Sequence, residues 1–402
     1  MNNSTRKPKR ILLVCPYPEG VAPGQRLKYE QYLEYLKNQG YSIKICSFVN
    51  LRFWSILYQP GHFSEKVFWT LLGVVQRMLL LPTLPFYDGI FIFHSVAPLG
   101  PALLERIYAW LNPRMVYDID DMIHLAHSSQ ANRFTKWLKG SSRITHLMKK
   151  ARHIITCTPA LDAFARRFNP NTTDISSTIN TTTYQPVNPY ENQPNQPITL
   201  GWSGSHSTEK YLSILTNVLQ EISKQRKIRL LVIGSGKFTM PGVDVQSTAW
   251  KSATEVADLQ KIDIGLYPLP DDPWVYGKSG LKALQYMALG IPTIATAIGT
   301  NFRVIESGQS GLLVKTEEEW TNALLKLIDQ PAERRRLGLA GRQRVENFYS
   351  IEANKDVYLA IFDKVYVAPA GWPRPEGLSL ITPLEKAGLT LPVIGNQAEN
   401  QA

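Results

Sequence analysis

The stretch YGKSGLKALQYMALGIP, residues 276–292, puts a lysine, a serine and a glycine in front of a helical apolar pattern. Leu281, Leu284 and Ala288 recur at helical spacing. Gly290 suits the C′ position, and Pro292 blocks continuation. Ser279 is the expected N-cap. A glycine in the first turn removes the side chain that would keep a ligand off the backbone. The unpaired N–H groups and the dipole of a helix start favour an anion, and Lys278 adds a full positive charge beside them. This is the chemistry of a phosphate turn. The same residues also suit an ordinary capped surface helix, so other patches have to decide.

Three further patches carry residues of the right type. In GWSGSHSTEKYL (201–212), Ser203, Gly204 and Ser205 permit close backbone approach, and Lys210 is either a second cation or a solvated helix residue. In VYDIDDMIH (116–124), carboxylates including Asp120 and Asp121 follow an apolar run. They form a polar loop, a metal site or part of a substrate surface. His94, which ends FIFHS, is the nearest histidine of similar context. In PEGVAPGQRLKYE (18–30), Gly24 and Arg26 follow the first strand, where Arg26 is either a ligand contact or a surface residue at a helix start. Asp271, Asp272 and Trp274 precede the lysine turn as a polar loop with one anchoring tryptophan, or as ligand contacts.

The elements that must position these patches alternate strand and helix. Strand 10–18, helix 25–41 and strand 42–48 form a βαβ unit whose turn lies at the carboxyl end of the first strand. That edge is where open α/β sheets bind ligands. Strands at 87–95, 115–121 and 153–159 extend the first sheet. A segment rich in Pro, Asn and Gln (184–197) reads as a linker. Strand 198–204, helix 208–225 and strands at 228–234, 263–269, 291–296 and 310–314 then repeat the pattern, before a helical stretch over 316–365. The expectation is an α/β chain of two Rossmann-like domains facing a central cleft. Its parts are an N-terminal domain (1–185), a linker (186–198), a C-terminal domain (199–350), a closing helix (351–365) and a poorly ordered tail (366–402).

A chain of 402 residues with 44% apolar and 19% charged content is globular and long enough for two cores. Three scattered cysteines form no metal spacing and read as small buried hydrophobes in a reducing compartment. No apolar run spans a bilayer, and the basic N-terminus does not lead into a signal peptide. The expected location is cytoplasmic, including the inner face of the cell membrane. The net charge of +11 is uneven: residues 1–185 hold 22 Lys+Arg against 11 Asp+Glu, and the remainder hold 22 of each. The N-terminal half therefore faces an anionic partner, or its charge simply solubilises it. Nucleic acid is not expected, because no recognition helix or RNA-binding motif is present. Residues 52–82, dense in Trp, Phe and Leu, read either as a buried helix of the N-terminal domain or as an interfacial helix.

Together the four patches resemble the glycosyltransferase group 1 family (family 4, GT-B fold), and in particular a bacterial subgroup of surface-polysaccharide transferases. The resemblance is strongest over 198–350. The family signature has two glutamates eight positions apart around a glycine turn, followed by MA-x-G-x-P. Here those positions hold Gly277 and Gln285, and MALGIP follows. The resemblance implies that Gln285 contacts the nucleotide ribose, while Gly277 has no side chain to contact a sugar. It places Lys210, Ser203, Gly204, Ser205, Lys278, Ser279, Gly280 and Leu281 on the donor diphosphate, with Gly24 and Arg26 near it. It places Asp272 and Trp274 by the sugar. Asp120, Asp121 and His94 fall on the acceptor side and, with Lys278, are the catalytic candidates.

The implied activity is a retaining, metal-independent hexosyl transfer. The donor is a UDP- or GDP-sugar, which serves as co-substrate with no further cofactor. The acceptor is a glycan or a lipid-linked sugar of the cell envelope, and the basic N-terminal domain touches the membrane. The competing readings are a non-catalytic nucleotide-binding partner protein, a nucleotide-sugar epimerase or a glycan phosphorylase.

Overall fold

The computed structural model describes residues 7–98, 100–121, 141–187, 196–367 and 380–389. The chain divides into two compact units: unit 1 is Met1–Ser176 with Asn354–Lys386, and unit 2 is built on Ser177–Ala353. Each contains its own parallel sheet.

Unit 1 contains β1 (Lys9–Cys15), β2 (Tyr41–Ser47), β3 (Gly89–Phe93), β4 (Met115–Asp118), β5 (His153–Thr156) and β6 (Thr172–Asp174). They pair in parallel in the order β2-β1-β3-β4-β5-β6. All of β3 is buried, as a strand covered on both faces must be, which is why it reads as a continuous apolar run. The chain leaves β1 for β2 on one side and returns to β3 on the other. The order therefore reverses between β1 and β3, and their carboxyl ends flank the crevice. β6 escaped the sequence reading because three polar residues, TTD, carry no period.

The helix expected over 25–41 is broken into Pro23–Arg26, a 3-10 turn at Glu30–Tyr32, and Leu33–Asn38. The break falls where Lys28 turns inward, 1% exposed, to donate to the carbonyls of Thr156 (2.8 Å) and Ile175 (2.6 Å). The strand expected over 87–95 stops at Phe93, because His94 takes a left-handed conformation (φ 64°).

Two expected boundaries move. Residues 177–185 belong to unit 2, where the Tyr184 hydroxyl donates to Glu255 (2.8 Å). The helix Ile351–Phe362 and the turn after it belong almost wholly to unit 1. Tyr358 stacks on Tyr32 (centroids 4.1 Å) and its hydroxyl donates to Asp118 (3.2 Å). Tyr366 is buried rather than the start of a loose tail; its hydroxyl donates to the Ile90 carbonyl (2.8 Å), and its ring fills the space that a Cβ on Gly89 would need. Pro383–Lys386 forms one further helical turn. The rest of the expected tail (368–379 and 390–402) and linker residues 188–195 lie outside the described residues.

Unit 2 contains β7 (Ile198–Ser203), β8 (Ile228–Gly234), β9 (Val245–Ala249), β10 (Ile264–Tyr267), β11 (Thr293–Thr296) and β12 (Leu312–Val314), in the parallel order β12-β11-β10-β7-β8-β9. This is the doubly wound arrangement, with its reversal between β7 and β10. β9, the polar VQSTA, was not anticipated. Trp202, Leu219, Leu230, Ile264, Trp320 and Leu337 lie in its core. The helix Glu317–Asp329 starts at a capping box, in which Thr316 and Glu319 each accept from the other's backbone N–H.

Among the described residues no helix is long and apolar enough to cross a membrane. The helix Phe63–Leu79, read above as buried or interfacial, is not buried: Phe63 is 80% exposed and Leu79 71%.

Candidate functional site

In unit 2, the loops after β7 and β10 meet at the reversal point, and nearly all the expected donor-side residues lie on them. Gly204 follows β7 directly and is closely surrounded. A Cβ there would lie 2.4 Å from the Trp202 ring and 2.8 Å from Lys282 Cε. Ser203 donates its N–H to the Tyr286 hydroxyl (2.8 Å), and Ser205 caps the 3-10 helix His206–Leu215. The loop after β10 turns through Pro273–Gly277, where the Asp272 carboxylate accepts the Trp274 N–H (3.2 Å). Asp272 is thus tied to its own turn.

The aromatic and basic groups of the two loops interleave. Lys278 Nζ lies 4.3 Å from the Trp274 ring centroid, Trp274 lies 6.0 Å from Tyr211, and Lys210 Nζ lies 5.8 Å from Tyr211. Lys282 projects from the first turn of the helix Leu281–Ala288 between Trp202 (5.8 Å) and Tyr267 (5.9 Å). Burial, with the charge of Lys278 added, lowers its pKa from 10.5 to about 8. Lys282 was not singled out in the sequence. Its signal was its position two residues after Gly280, where a helical side chain leans back over the N-terminus.

The helix start itself differs from expectation. Gly280, at φ 75°, is the N-cap and offers no side chain; Ser279 instead pairs its hydroxyl with that of Ser177 (2.8 Å). Only glycine adopts this conformation without strain. It leaves the N–H groups of Leu281 and its successors without a side-chain cap. At the other end, Gly290 (φ 72°) completes a Schellman motif, in which Gly290 and Ile291 donate to the carbonyls of Met287 (2.9 Å) and Tyr286 (2.9 Å). Gln285 is 4% exposed, and its amide donates to the Tyr184 hydroxyl (3.0 Å), next to Glu255 and Trp250.

In unit 1, the expected residues gather at that sheet's own reversal point. His94 Nε2 meets the Asp120 carboxylate, and a Cβ on Gly24 would lie 2.8 Å from Asp120 Oδ2, so only glycine admits that carboxylate. Burial opposes the imidazolium. Asp120, by charge and hydrogen bond, and then Asp121 and Asp118 outweigh it, so the His94 pKa is raised. The Tyr117 hydroxyl donates to the His94 carbonyl (2.8 Å) and steadies the left-handed turn. Below them Asp118 faces Lys28 (3.4 Å). Burial raises its pKa to about 6, against the pull of Lys28. The loop after β1 is held by Gln25, whose side chain bonds both ways with Tyr17 (2.9 Å each), and by Glu30, which accepts from Gly20 (2.9 Å). Neither was singled out in the sequence. Arg26 ends the short helix Pro23–Arg26.

Residues 197–330 match the family model for glycosyl transferases group 1. This segment belongs to that family. The match covers β7 to β12, the part of the chain that carries the three lysines.

Among curated proteins, similarity runs to D-inositol 3-phosphate glycosyltransferases. The one from Pseudarthrobacter chlorophenolicus is 40% identical over 70 residues, 17% of each chain. The one from Nocardioides sp. is 33% identical over 84 residues, 20% of this chain and 18% of that one. The matched stretch spans less than a fifth of either relative. Among solved structures, sucrose-phosphate synthase from Thermosynechococcus elongatus superposes over 90% of this chain and 100% of its own, with a TM-score of 0.63 at 18% identity. Anabaena HepE, solved with UDP and glucose, covers 89% of this chain and 100% of its own, with a TM-score of 0.62 at 12% identity. These likenesses establish the GT-B fold.

Proposed function

We propose that the protein is a glycosyltransferase that takes a sugar from a nucleoside-diphosphate sugar bound by unit 2. The observation that carries this reading is the placement of Lys282 against Gly204, in the first turn of the uncapped helix Leu281–Ala288, with Lys278 near enough to lower its pKa. Breaking an anomeric C–O bond places negative charge on the leaving diphosphate. Lysines and helix N–H groups fixed in advance stabilise that charge without reorganising. Lys210 adds charge from the rim across Tyr211 and Trp274. Support for a uridine diphosphate donor comes from the Anabaena neighbour, whose structure was solved with UDP.

The acceptor end of the reaction is assigned to the His94–Asp120 pair of unit 1. The Asp120 carboxylate fixes the orientation of the His94 imidazole through Nε2. An imidazole oriented in this way suits holding an acceptor hydroxyl. In the retaining course, the acceptor oxygen bonds the anomeric carbon and the bond to phosphate breaks. The hydroxyl proton passes to the leaving phosphate oxygen. The acceptor is a glycan or lipid-linked sugar of cell-envelope polysaccharide assembly.

A second reading, a nucleotide-binding partner protein without activity, is favoured by one observation: Gln285, on a signature position, is committed to Tyr184 in the interior. Melting the protein with UDP, GDP, ADP and their sugar conjugates tests the donor assignment, because a ligand of the native state must raise Tm. One nucleotide series stabilising the wild type but not Lys278→Ala supports it; no stabilisation by any of them rejects it. Slow release of free sugar from the stabilising conjugate then separates transferase from inactive partner.

A further inference from the structure

The helix Phe63–Leu79 is inside out. Its outward positions hold Phe63, Val67, Leu71, Val75 and Leu79 along one ridge of four-residue spacing, each at least 42% exposed, with further apolar residues beside them. Its inward face holds Gly73 and Arg77. The register is locked from within. Arg77 is fully buried and donates to the Val96 carbonyl (2.8 Å), the Cys15 carbonyl (2.9 Å) and Cys46 Sγ (2.8 Å). Gly73 closes on Phe48, whose ring would lie 2.8 Å from a Cβ there. The helix cannot roll its apolar ridge inward without breaking these bonds. A ridge running the length of a 17-residue helix, roughly 25 Å, is larger than the scattered apolar residues that monomeric surfaces normally carry.

What covers it is indicated by the neighbouring helices of unit 1. The helix packs on the turn Leu81–Phe86, which packs on the helix Leu103–Leu111, which packs on the helix Ser141–Lys150. The helix Leu103–Leu111 exposes Leu103, Arg106 and Trp110, the last at 80%. Arg106, Lys149 and Lys150 surround His146, whose pKa is lowered by burial and then by these three charges. An apolar ridge without charges on its outward face, an exposed tryptophan and a basic cluster, on the half of the chain that holds the whole net charge of +11, complement one kind of surface.

We infer that unit 1 docks on an anionic lipid bilayer, with the helix Phe63–Leu79 lying in the interface and Arg106, Lys149 and Lys150 meeting the headgroups. Trp110 takes the headgroup level that suits its amphipathic ring. The inference stands independently of the transfer reaction.

Flotation of the full chain with phosphatidylcholine vesicles, with and without phosphatidylglycerol, tests it. The chain floats with the anionic vesicles at low salt, and less with neutral ones. Leu71→Glu with Val75→Glu, both on the outward ridge, lowers the partition coefficient by about a hundredfold while leaving Tm unchanged. Lys149→Glu with Lys150→Glu lowers it by at least tenfold and removes its salt dependence. Failure of the folded wild type to float on anionic vesicles overturns the inference. So does light scattering that finds a dimer which Leu71→Glu/Val75→Glu converts to monomer, since the ridge then belongs to a second copy of the chain.

Discussion

Lys282 and Gly204 share one space: a Cβ on Gly204 would lie 2.8 Å from Lys282 Cε and 2.4 Å from the Trp202 ring. The glycine after β7 therefore sets where the lysine of the next loop's helix can reach. Gly204→Ala must push Lys282 or the buried Trp202 aside. A loss of about 1–3 kcal/mol in stability is expected from overpacking, with at least a tenfold loss of nucleotide affinity. Calorimetric melting and titration with UDP separate the two effects.

The lysines are ranked by their surroundings. Lys278 and Lys282 lie close enough for the charge of one to lower the pKa of the other, whereas Lys210 is exposed at the rim. Lys278→Ala and Lys282→Ala each weaken UDP binding by at least tenfold; Lys210→Ala weakens it a few fold. Wild-type affinity in Lys282→Ala would remove that residue from the anion site.

Lys282 also sets a pH dependence. Its pKa in the folded chain is lowered from 10.5 to about 8. An anion binds the protonated form, so affinity falls as pH rises through about 8, by up to tenfold per unit. In the absence of ligand, the unfolded chain binds the extra proton between about 8 and 10.5, so this residue's contribution to stability rises with pH across that window. Titration calorimetry from pH 7 to 9.5 gives a falling affinity for the wild type and a flat one for Lys282→Arg.

The buried pair Lys28–Asp118 holds unit 1 rather than its chemistry. Lys28→Met leaves the Asp118 carboxylate at 0% exposure with the Tyr358 hydroxyl but no counter-charge, at a cost of about 3–5 kcal/mol. The Asp118 pKa, already raised to about 6 by burial, rises further in that variant. The folded state then holds a proton that the unfolded state has lost, so the variant is less stable at pH 8 than at pH 5. Denaturant melts at the two pH values show this order, and Lys28→Met/Asp118→Leu recovers part of the loss.

Asp120→Asn removes the main group that raises the pKa of His94, leaving only the weaker charges of Asp121 and Asp118 against burial. The His94 titration seen by NMR moves down, and transfer to acceptor falls while UDP binding stays within twofold. A loss of UDP binding of the same size would deny the pair a separate acceptor role.

The βαβ alternation of both units was legible because buried parallel strands such as β1 and β3 are unbroken apolar runs bounded by turns. The glycine and proline that close the helix Leu281–Ala288 were equally plain, since backbone conformation at Gly290 is a local matter. The short polar strands β6 and β9 were not legible; their place comes from the edges of sheets already formed, and no period marks them.

By itself, then, the sequence determined two doubly wound units, a chain whose excess charge sits in one half, and the four loops that carry lysines, glycines and carboxylates. These follow from local propensity, period and charge, which neighbouring residues decide. Only the tertiary structure decided that Gly280 rather than Ser279 caps the helix, that Lys282 joins Lys278, and that His94 meets Asp120 over Gly24. Only it decided that Arg77, buried among the ends of three chain segments, turns the helix Phe63–Leu79 with its apolar ridge outward. Each depends on contacts between residues far apart in the chain, that of Lys282 being with Gly204 and Trp202, and their energy exists only once the sheets have placed their carboxyl edges.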